Sequence, residues 1–283
     1  MLAYFNGAYL PLEEIRISPD DRGFLFADGI YDVIRVYNGH PYRLGDHLAR
    51  LSYGASQLRL AQSDFSFLAD VARRLLAENG LTDAATLYLQ VTRGRAPRQH
   101  AFPQPQPPLT IYAVARFLDE TPLRRKQEQG IAAVTRSDNR WTRCDIKTTA
   151  LVANVMANQE AADHDADEAI FIRDSALLEG SHTNIMAVVD GELRTAPLSN
   201  FILPGVTRQA IMELCGELAL PVREMPVFQN EIAKLSELMA LSTTLEVAPV
   251  IKLDGKPVAD GQPGAVTRRL SQALRQVIER SCR

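Results

Sequence analysis

Along this chain the apolar positions change period repeatedly, from two to about 3.6 and back. Leu2 to Phe5 and Ala8 to Leu10 flank Asn6-Gly7, the pattern of a short hairpin. Tyr31-Asp-Val-Ile-Arg-Val-Tyr37 alternates and is rich in β-formers, and Asn38-Gly39 turns it toward Tyr42. The spacing then shifts to helical. Asp46 is expected to cap a helix carrying His47, Leu48, Arg50 and Leu51, and a second helix runs from about Ser66 to Asn79-Gly80. Thr86 to Thr92 and Leu109 to Ala115 read as strands around a basic, proline-containing loop. The pattern pauses at Leu118-Asp-Glu-Thr-Pro122, which predicts a boundary: one domain over residues 1–118, a linker over 119–122 and a second domain over 123–283.

Beyond the pause, Ile131 to Thr135, Glu168 to Ile172, Asn184 to Val189 and Leu238 to Leu241 are predicted strands. An amphipathic helix with Leu151 and Val155 one turn apart is expected after Lys147. Leu203-Pro-Gly-Val-Thr207 opens a helix bearing Ile211, Leu214, Cys215 and Leu218, and Val266, Leu270, Leu274 and Ile278 line a closing one. Strands and helices interleave throughout, so the fold class is mixed α and β.

Composition narrows the function. The 283 residues carry a net charge of −3, with 46% hydrophobic and 23% charged residues, which gives no reason to expect nucleic acid or an anionic membrane as partner. Three widely spaced cysteines suggest neither a disulfide framework nor a metal site. No apolar run approaches the ~18 residues of a membrane span, and the N-terminus lacks the features of a signal peptide. A cytoplasmic enzyme is the expectation.

Lys147 is the first chemical candidate. It ends Arg140-Trp-Thr-Arg-Cys-Asp-Ile-Lys147, at what reads as a strand's end before a helix. An unperturbed lysine, with a pKa of ~10.4, is protonated at neutral pH. Desolvation and the nearby arginines would disfavour the ammonium and prepare a Schiff-base lysine; the plain alternative is a lysine reaching solvent. Gly205-Val206-Thr207 at a helix start and the hydroxyls of Ser242-Thr243-Thr244 are both able to hold a phosphate, or are simple caps. Glu179, in a Gly/Ser/Asn-rich loop, would keep a pyridine nitrogen protonated or face solvent. Arg93-Gly-Arg95-Ala-Pro-Arg98-Gln-His100 is a solvated loop, a nucleic-acid contact or a trap for a substrate carboxylate.

Taken in order, Asp21-Arg-Gly-Phe, Phe26-Ala-Asp-Gly-Ile-Tyr31, His47-Leu-Ala-Arg50-Leu, Val91-Thr-Arg-Gly, Pro97-Arg98-Gln-His100, the Lys147 segment, Glu179-Gly-Ser-His-Thr-Asn184 and Ser242-Thr-Thr-Leu-Glu246 span nearly the whole chain. Together they resemble the fold-type IV pyridoxal-phosphate enzymes, specifically the bacterial D-amino-acid aminotransferases. The resemblance implies a smaller N-terminal α/β domain, a larger C-terminal pseudobarrel domain, and pyridoxal 5′-phosphate at their junction in a homodimer. It implies that Lys147 forms the Schiff base and shuttles the Cα proton, and that Glu179 pairs with the ring nitrogen. Arg50, Val206, Thr207 and Thr243 would hold the phosphate and Leu203 would pack on the ring. Tyr31, Arg98 and His100 would bind the substrate carboxylate, the last two from the other subunit.

The implied reaction is a ping-pong transfer of the amino group of a D-amino acid, such as D-alanine or D-glutamate, to a 2-oxo acid. An L-branched-chain aminotransferase or an aminodeoxychorismate lyase would share the fold, though both lack the Arg-x-His pair, and a binding protein without catalysis is a remote further reading. Asp32 stands where the family commonly has glutamate, and Thr148-Thr149 also departs from its pattern. His182 and Leu245 replace smaller polar residues, which is expected to reshape the side-chain pocket.

Overall fold

The computed structural model describes residues 1–282, which divide into two compact units. The first comprises Met1–Leu118, Ile146–Leu151, Ser281 and Cys282; the second holds Asp119–Asp145 and Val152–Arg280. The lysine segment thus packs with the N-terminal unit, although the sequence reading placed it within the second domain.

The first unit begins with the hairpin β1 (Leu2–Phe5) and β2 (Ala8–Pro11). A short helix α1 (Arg22–Phe26) leads into β3 (Gly29–Tyr37) and β4 (His40–Pro41). Asn6-Gly7 and Asn38-Gly39 all adopt positive φ, the conformation that two-residue hairpin turns require and Asn-Gly supplies. Helices α2 (Leu44–Gln57) and α3 (Leu68–Glu78) precede β5 (Ala85–Thr92) and β6 (Thr110–Phe117). The sheet runs β2-β1-β6-β5-β3-β4. Ile34, Val36, Leu87 and Leu89 pack with Leu51, Leu68 and Leu75 of the helices in one apolar core. Carboxylates mark two helix starts in this unit, the second not as the expected cap. Residues 22–26 are helical because the Asp21 carboxylate accepts from the Gly23 N–H. Helix α2 starts before Asp46, whose carboxylate lies in the first turn and takes the Arg43 guanidinium; an acid there complements the helix dipole.

The second unit opens with α4 (Thr121–Gln129) and β7 (Ile131–Ser137). Helix α5 (Val152–Asp163) is followed by β8 (Glu168–Arg173), β9 (Ala176–Gly180), β10 (Asn184–Val189) and β11 (Glu192–Thr195). Helix α6 (Val206–Glu217), β12 (Val222–Glu224) and β13 (Val227–Phe228) come next. Strands β14 (Leu235–Ser242), β15 (Glu246–Leu253) and β16 (Lys256–Pro257) precede the last helix, α7 (Ala265–Ser281). Strands run β10-β14-β15-β7-β8-β9, and a pairing of β9 with β10 closes that path into a six-stranded barrel. The closing pair is Glu179 opposite Asn184. Ile131, Ile170, Leu177, Ile185, Leu238 and Val250 fill the core.

Helix α4 begins within the segment that reads as linker and runs on beyond it. Its start is marked by Pro122 and by Asp119, which accepts from the Thr121 N–H. Helix α5 is not amphipathic in the expected sense, since Val152, Val155 and Met156 are exposed and it buries only Ala157 and Ala161. Among the described residues no helix is long and apolar enough to cross a membrane.

Candidate active site

Lys147 lies on irregular backbone, not at a strand's end, and tertiary contacts hold it. The Tyr31 N–H donates to the Lys147 carbonyl at 3.0 Å, and Thr149 N–H donates to the Gly29 carbonyl at 3.0 Å. Ile146 fills the apolar core next to Ile30 and the small Gly54 of α2. The segment is thereby stitched along β3. Its amine donates to the Tyr31 hydroxyl at 3.3 Å and sits 4.4 Å from the centroid of the same ring. Tyr31 in turn stacks on Tyr88, 5.8 Å between centroids. Burial pushes the Tyr88 phenol up to about 12, helped by Tyr31 and Tyr112, so it stays neutral. In the second unit Arg140 is committed to Asp138 and Glu179, and Arg143 to Asp145.

On the other face of β3, Asp32 is fully buried. Arg50 clamps it with Nε at 2.9 Å and Nη2 at 2.7 Å, and His47 Nδ1 lies 2.8 Å from Oδ1. Burial pushes the Asp32 carboxyl up, but Arg50 and His47 outweigh it and hold the group well below the usual carboxylate range. Burial, joined by the charges of Arg50 and Lys147, lowers His47 further than Asp32 raises it, so the imidazole stays neutral at neutral pH.

Glu179 is not a loop residue. It lies one residue before the end of strand β9, at the barrel seam, and is almost fully buried. Its carboxylate accepts from Arg140 Nη1, from Asn184 Nδ2 at 3.0 Å and from the Leu203 N–H at 3.0 Å. Burial pushes it up to about 7, with Arg140 and the Leu203 N–H pulling the other way. Asn184 also donates to the Leu203 carbonyl at 3.0 Å, which ties β10 to the entry of α6. A Cβ on Gly205 would collide with Asn184 Oδ1, so glycine is required there. Burial pushes the Cys144 thiol up to about 11, which makes it inert as a nucleophile.

Helix α6 begins at Val206 with Gly205 as a cap that offers no side-chain acceptor. The first-turn N–H groups, Val206 and Thr207 included, have no carbonyl partner within the helix and suit an anion. Thr243 stands in the turn between β14 and β15. These donors fit a phosphate, and a buried carboxyl able to exchange a proton near neutrality fits a heteroaromatic nitrogen. Leu203 is half-buried, leaving apolar surface available to a ring.

The structure brings Tyr31 and Lys147 together but leaves Arg98 and His100 exposed, with the Phe26 ring as the side-chain neighbour of both. Their loop is nevertheless held firmly. Arg93, fully buried, donates to both oxygens of Asp28, to the Leu58 and Arg59 carbonyls, and stacks 3.7 Å from the Phe102 centroid. Arg22 shares Asp28 and donates to the Gln99 carbonyl at 2.6 Å. Sequence reasoning counted Arg93 among the loop's binding charges. Its place, directly after an apolar strand, was the available sign of burial.

Glu168 was also missed as a supporting residue. It is buried and accepts from the Ser181 N–H and hydroxyl and from the Thr183 hydroxyl, shaping the turn that joins Glu179 to Asn184. His182 is exposed beside it. Leu245 points into the barrel core, which removes it as a direct shaper of a substrate pocket.

Comparison with known proteins gives the family. The Amino-transferase class IV family profile matches residues 29–253. The chain is 37% identical over 280 residues to a D-alanine aminotransferase of Staphylococcus epidermidis, covering 98% of this chain and 97% of that protein. Its fold is similar to the Escherichia coli branched-chain amino acid aminotransferase, with a TM-score of 0.90 at 26% identity over 98% of this chain and 94% of the other. It is also similar in fold to a hypothetical aminotransferase from Mycobacterium tuberculosis solved in a PLP-bound form, with a TM-score of 0.84 at 19% identity over 98% and 99% of the two chains.

Proposed function

The chain belongs to the class IV aminotransferases, and from that premise we propose that it transfers the amino group of a D-amino acid to a 2-oxo acid, using pyridoxal 5′-phosphate. The near-full-length likeness to the staphylococcal D-alanine aminotransferase carries this reading. D-Alanine and D-glutamate are the proposed donors, with pyruvate or 2-oxoglutarate as acceptors in a ping-pong cycle. The closeness of fold to a branched-chain enzyme supports the one rival worth testing.

When bound, the cofactor supplies an electron sink for the bond broken at the substrate Cα. Lys147 anchors it and moves the proton at Cα; the Tyr31 hydroxyl, 3.3 Å from Nζ, fixes the amine's position. Glu179 would pair with the ring nitrogen and hold a proton there, and its three donors fix its rotamer. Arg50, Val206, Thr207 and Thr243 would hold the phosphate, and Leu203 would pack on the ring. Asp32 keeps the Arg50 fork oriented.

Tyr31, Arg98 and His100 bind the substrate carboxylate. Exposure of Arg98 and His100 on a loop that Arg93 and Arg22 hold rigid supports their delivery into a second subunit, and hence a homodimer. The cytoplasm is the proposed compartment, in keeping with three free, buried cysteines.

The deciding experiment mixes cofactor-loaded protein with D-alanine and, separately, with L-leucine while following the cofactor's visible absorbance. Bleaching by D-alanine alone is expected. Bleaching by L-leucine alone would move the protein to the branched-chain group. A Lys147→Ala control should bleach with neither.

A further inference from the structure

Behind the turn that carries Thr243 lies a polar relay assigned to none of the roles above. Helix α4 is polar along nearly its whole length, and Gln127 is the one residue it buries. Burying an amide is costly unless both of its ends are bonded. Here both are. Gln127 Nε2 donates to the Leu245 carbonyl at 3.0 Å, and Oε1 accepts from Arg275 Nη2 of α7 at 2.7 Å. Arg275 Nε also lies 3.9 Å from the Glu246 carboxylate.

The turn so gripped is strained. Glu246 has φ of 58°, a left-handed conformation that is unfavourable for a residue with a side chain. Ser242 pairs with Glu246 across the strand ends, and its hydroxyl accepts from the Leu245 N–H at 3.2 Å. The turn Thr243-Thr244-Leu245 is therefore fixed at its last N–H by Ser242 and at its last carbonyl by Gln127. Strain of this kind persists where the surroundings over-determine the backbone.

We propose that Gln127, oriented by Arg275, is a positioning residue that sets the Thr243 turn for binding the cofactor's phosphate. The proposal rests on the assignment of Thr243 to that phosphate. The barrel core contains Leu245, and holding its carbonyl fixes the backbone two residues from Thr243. A Gln127 lost from this place leaves the Leu245 carbonyl and the Arg275 guanidinium without their partner, and the turn relaxes.

The test uses the full-length chain and two probes, pyridoxal 5′-phosphate and pyridoxal, which differ only in the phosphate. Dissociation constants are measured by absorbance titration for the wild type, Gln127→Met, Arg275→Met and Thr243→Ala. Gln127→Met should weaken pyridoxal 5′-phosphate about tenfold, the loss of about 1.4 kcal/mol, while pyridoxal binding stays within twofold. Arg275→Met should shift the same ratio by a smaller factor, and it carries the test if Gln127→Met does not fold.

Equal weakening of both probes would reduce Gln127 to a general stabiliser of the barrel and overturn the proposal. So would an unchanged ratio while Thr243→Ala lowers it. If Thr243→Ala leaves the ratio unchanged, the assignment of Thr243 itself falls, and the proposal with it.

Discussion

Two buried carboxylates, one in each unit, face arginines and end up with opposite acidities. Asp32 receives two prongs of Arg50 and a bond from His47. Glu179 receives a single prong of Arg140, because Nε and Nη2 of that arginine are already bonded to Asp138 at 2.9 and 3.0 Å. Asp138 also repels a charge on Glu179. One acid is therefore held well below the usual range and the other is pushed up to about 7. Burial alone decides neither outcome. The share of cationic charge does, and it separates an anchor from a group able to hold or release a proton.

The largest break in this comparison is Asp32→Asn. It removes the charge that Asp32 brings to its buried pair with Arg50, and breaking a buried pair costs about 3–5 kcal/mol, readable by urea denaturation at pH 7. The pH dependence carries a sign. The folded carboxyl is more acidic than the ~3.9 of an unfolded aspartate, so its stabilisation is complete above about pH 4 and is lost as pH falls through the folded value. The gap between wild type and variant should be widest at neutral pH and close in acid. A gap independent of pH would remove Asp32 from the role of charged anchor.

Glu179→Gln should behave differently. Arg140 keeps Asp138, so the fold survives. On the proposed function, turnover falls about 10²–10³-fold, the usual loss for one electrostatic group in a water-excluded site. The sign of the stability effect is also reversed. Wild-type Glu179 titrates near 7 when folded and near 4.3 when unfolded, so the wild type loses stability as pH rises between those values, whereas glutamine cannot ionise. The variant should gain on the wild type from about pH 5 to pH 8. Full retained turnover would strip Glu179 of its assignment.

The two acids were unequally legible in the sequence, for physical reasons. Strands such as Asn184–Val189 stand out because an apolar run between turn residues has few alternatives. Glu179 was found by its motif but misplaced in a loop, because Glu-Gly-Ser-His is poor in β-formers and only the barrel seam makes it a strand. Asp32 was noticed as a departure from the family's usual glutamate. Its partners sit fifteen and eighteen residues away on another element, a distance that periodicity does not encode. Helix α4 escaped because a helix that buries one glutamine leaves no apolar stripe. The lysine's exchange of units followed from Ile146 and from backbone bonds to β3, and neither leaves a local signature.

The smallest predicted effect asks most directly whether charge sharing sets the difference. Asp138→Asn preserves shape, and its side-chain oxygen can still accept from the Arg140 N–H, as Asp138 does at 3.1 Å. It removes both the acid that occupies Arg140 and the charge that repels Glu179. With Arg140 left to Glu179, the carboxylate form gains and the carboxyl should titrate below its present value of about 7. Carbon-detected NMR of the glutamate carboxyls across a pH series would follow it. A fall in the midpoint would move Glu179 toward the condition of Asp32 and confirm that one arginine divided between two acids keeps it protonatable. An unmoved midpoint would mean that desolvation alone holds it up, and the contrast between the two carboxylates would then come from the second prong of Arg50 and the bond from His47 that Asp32 receives.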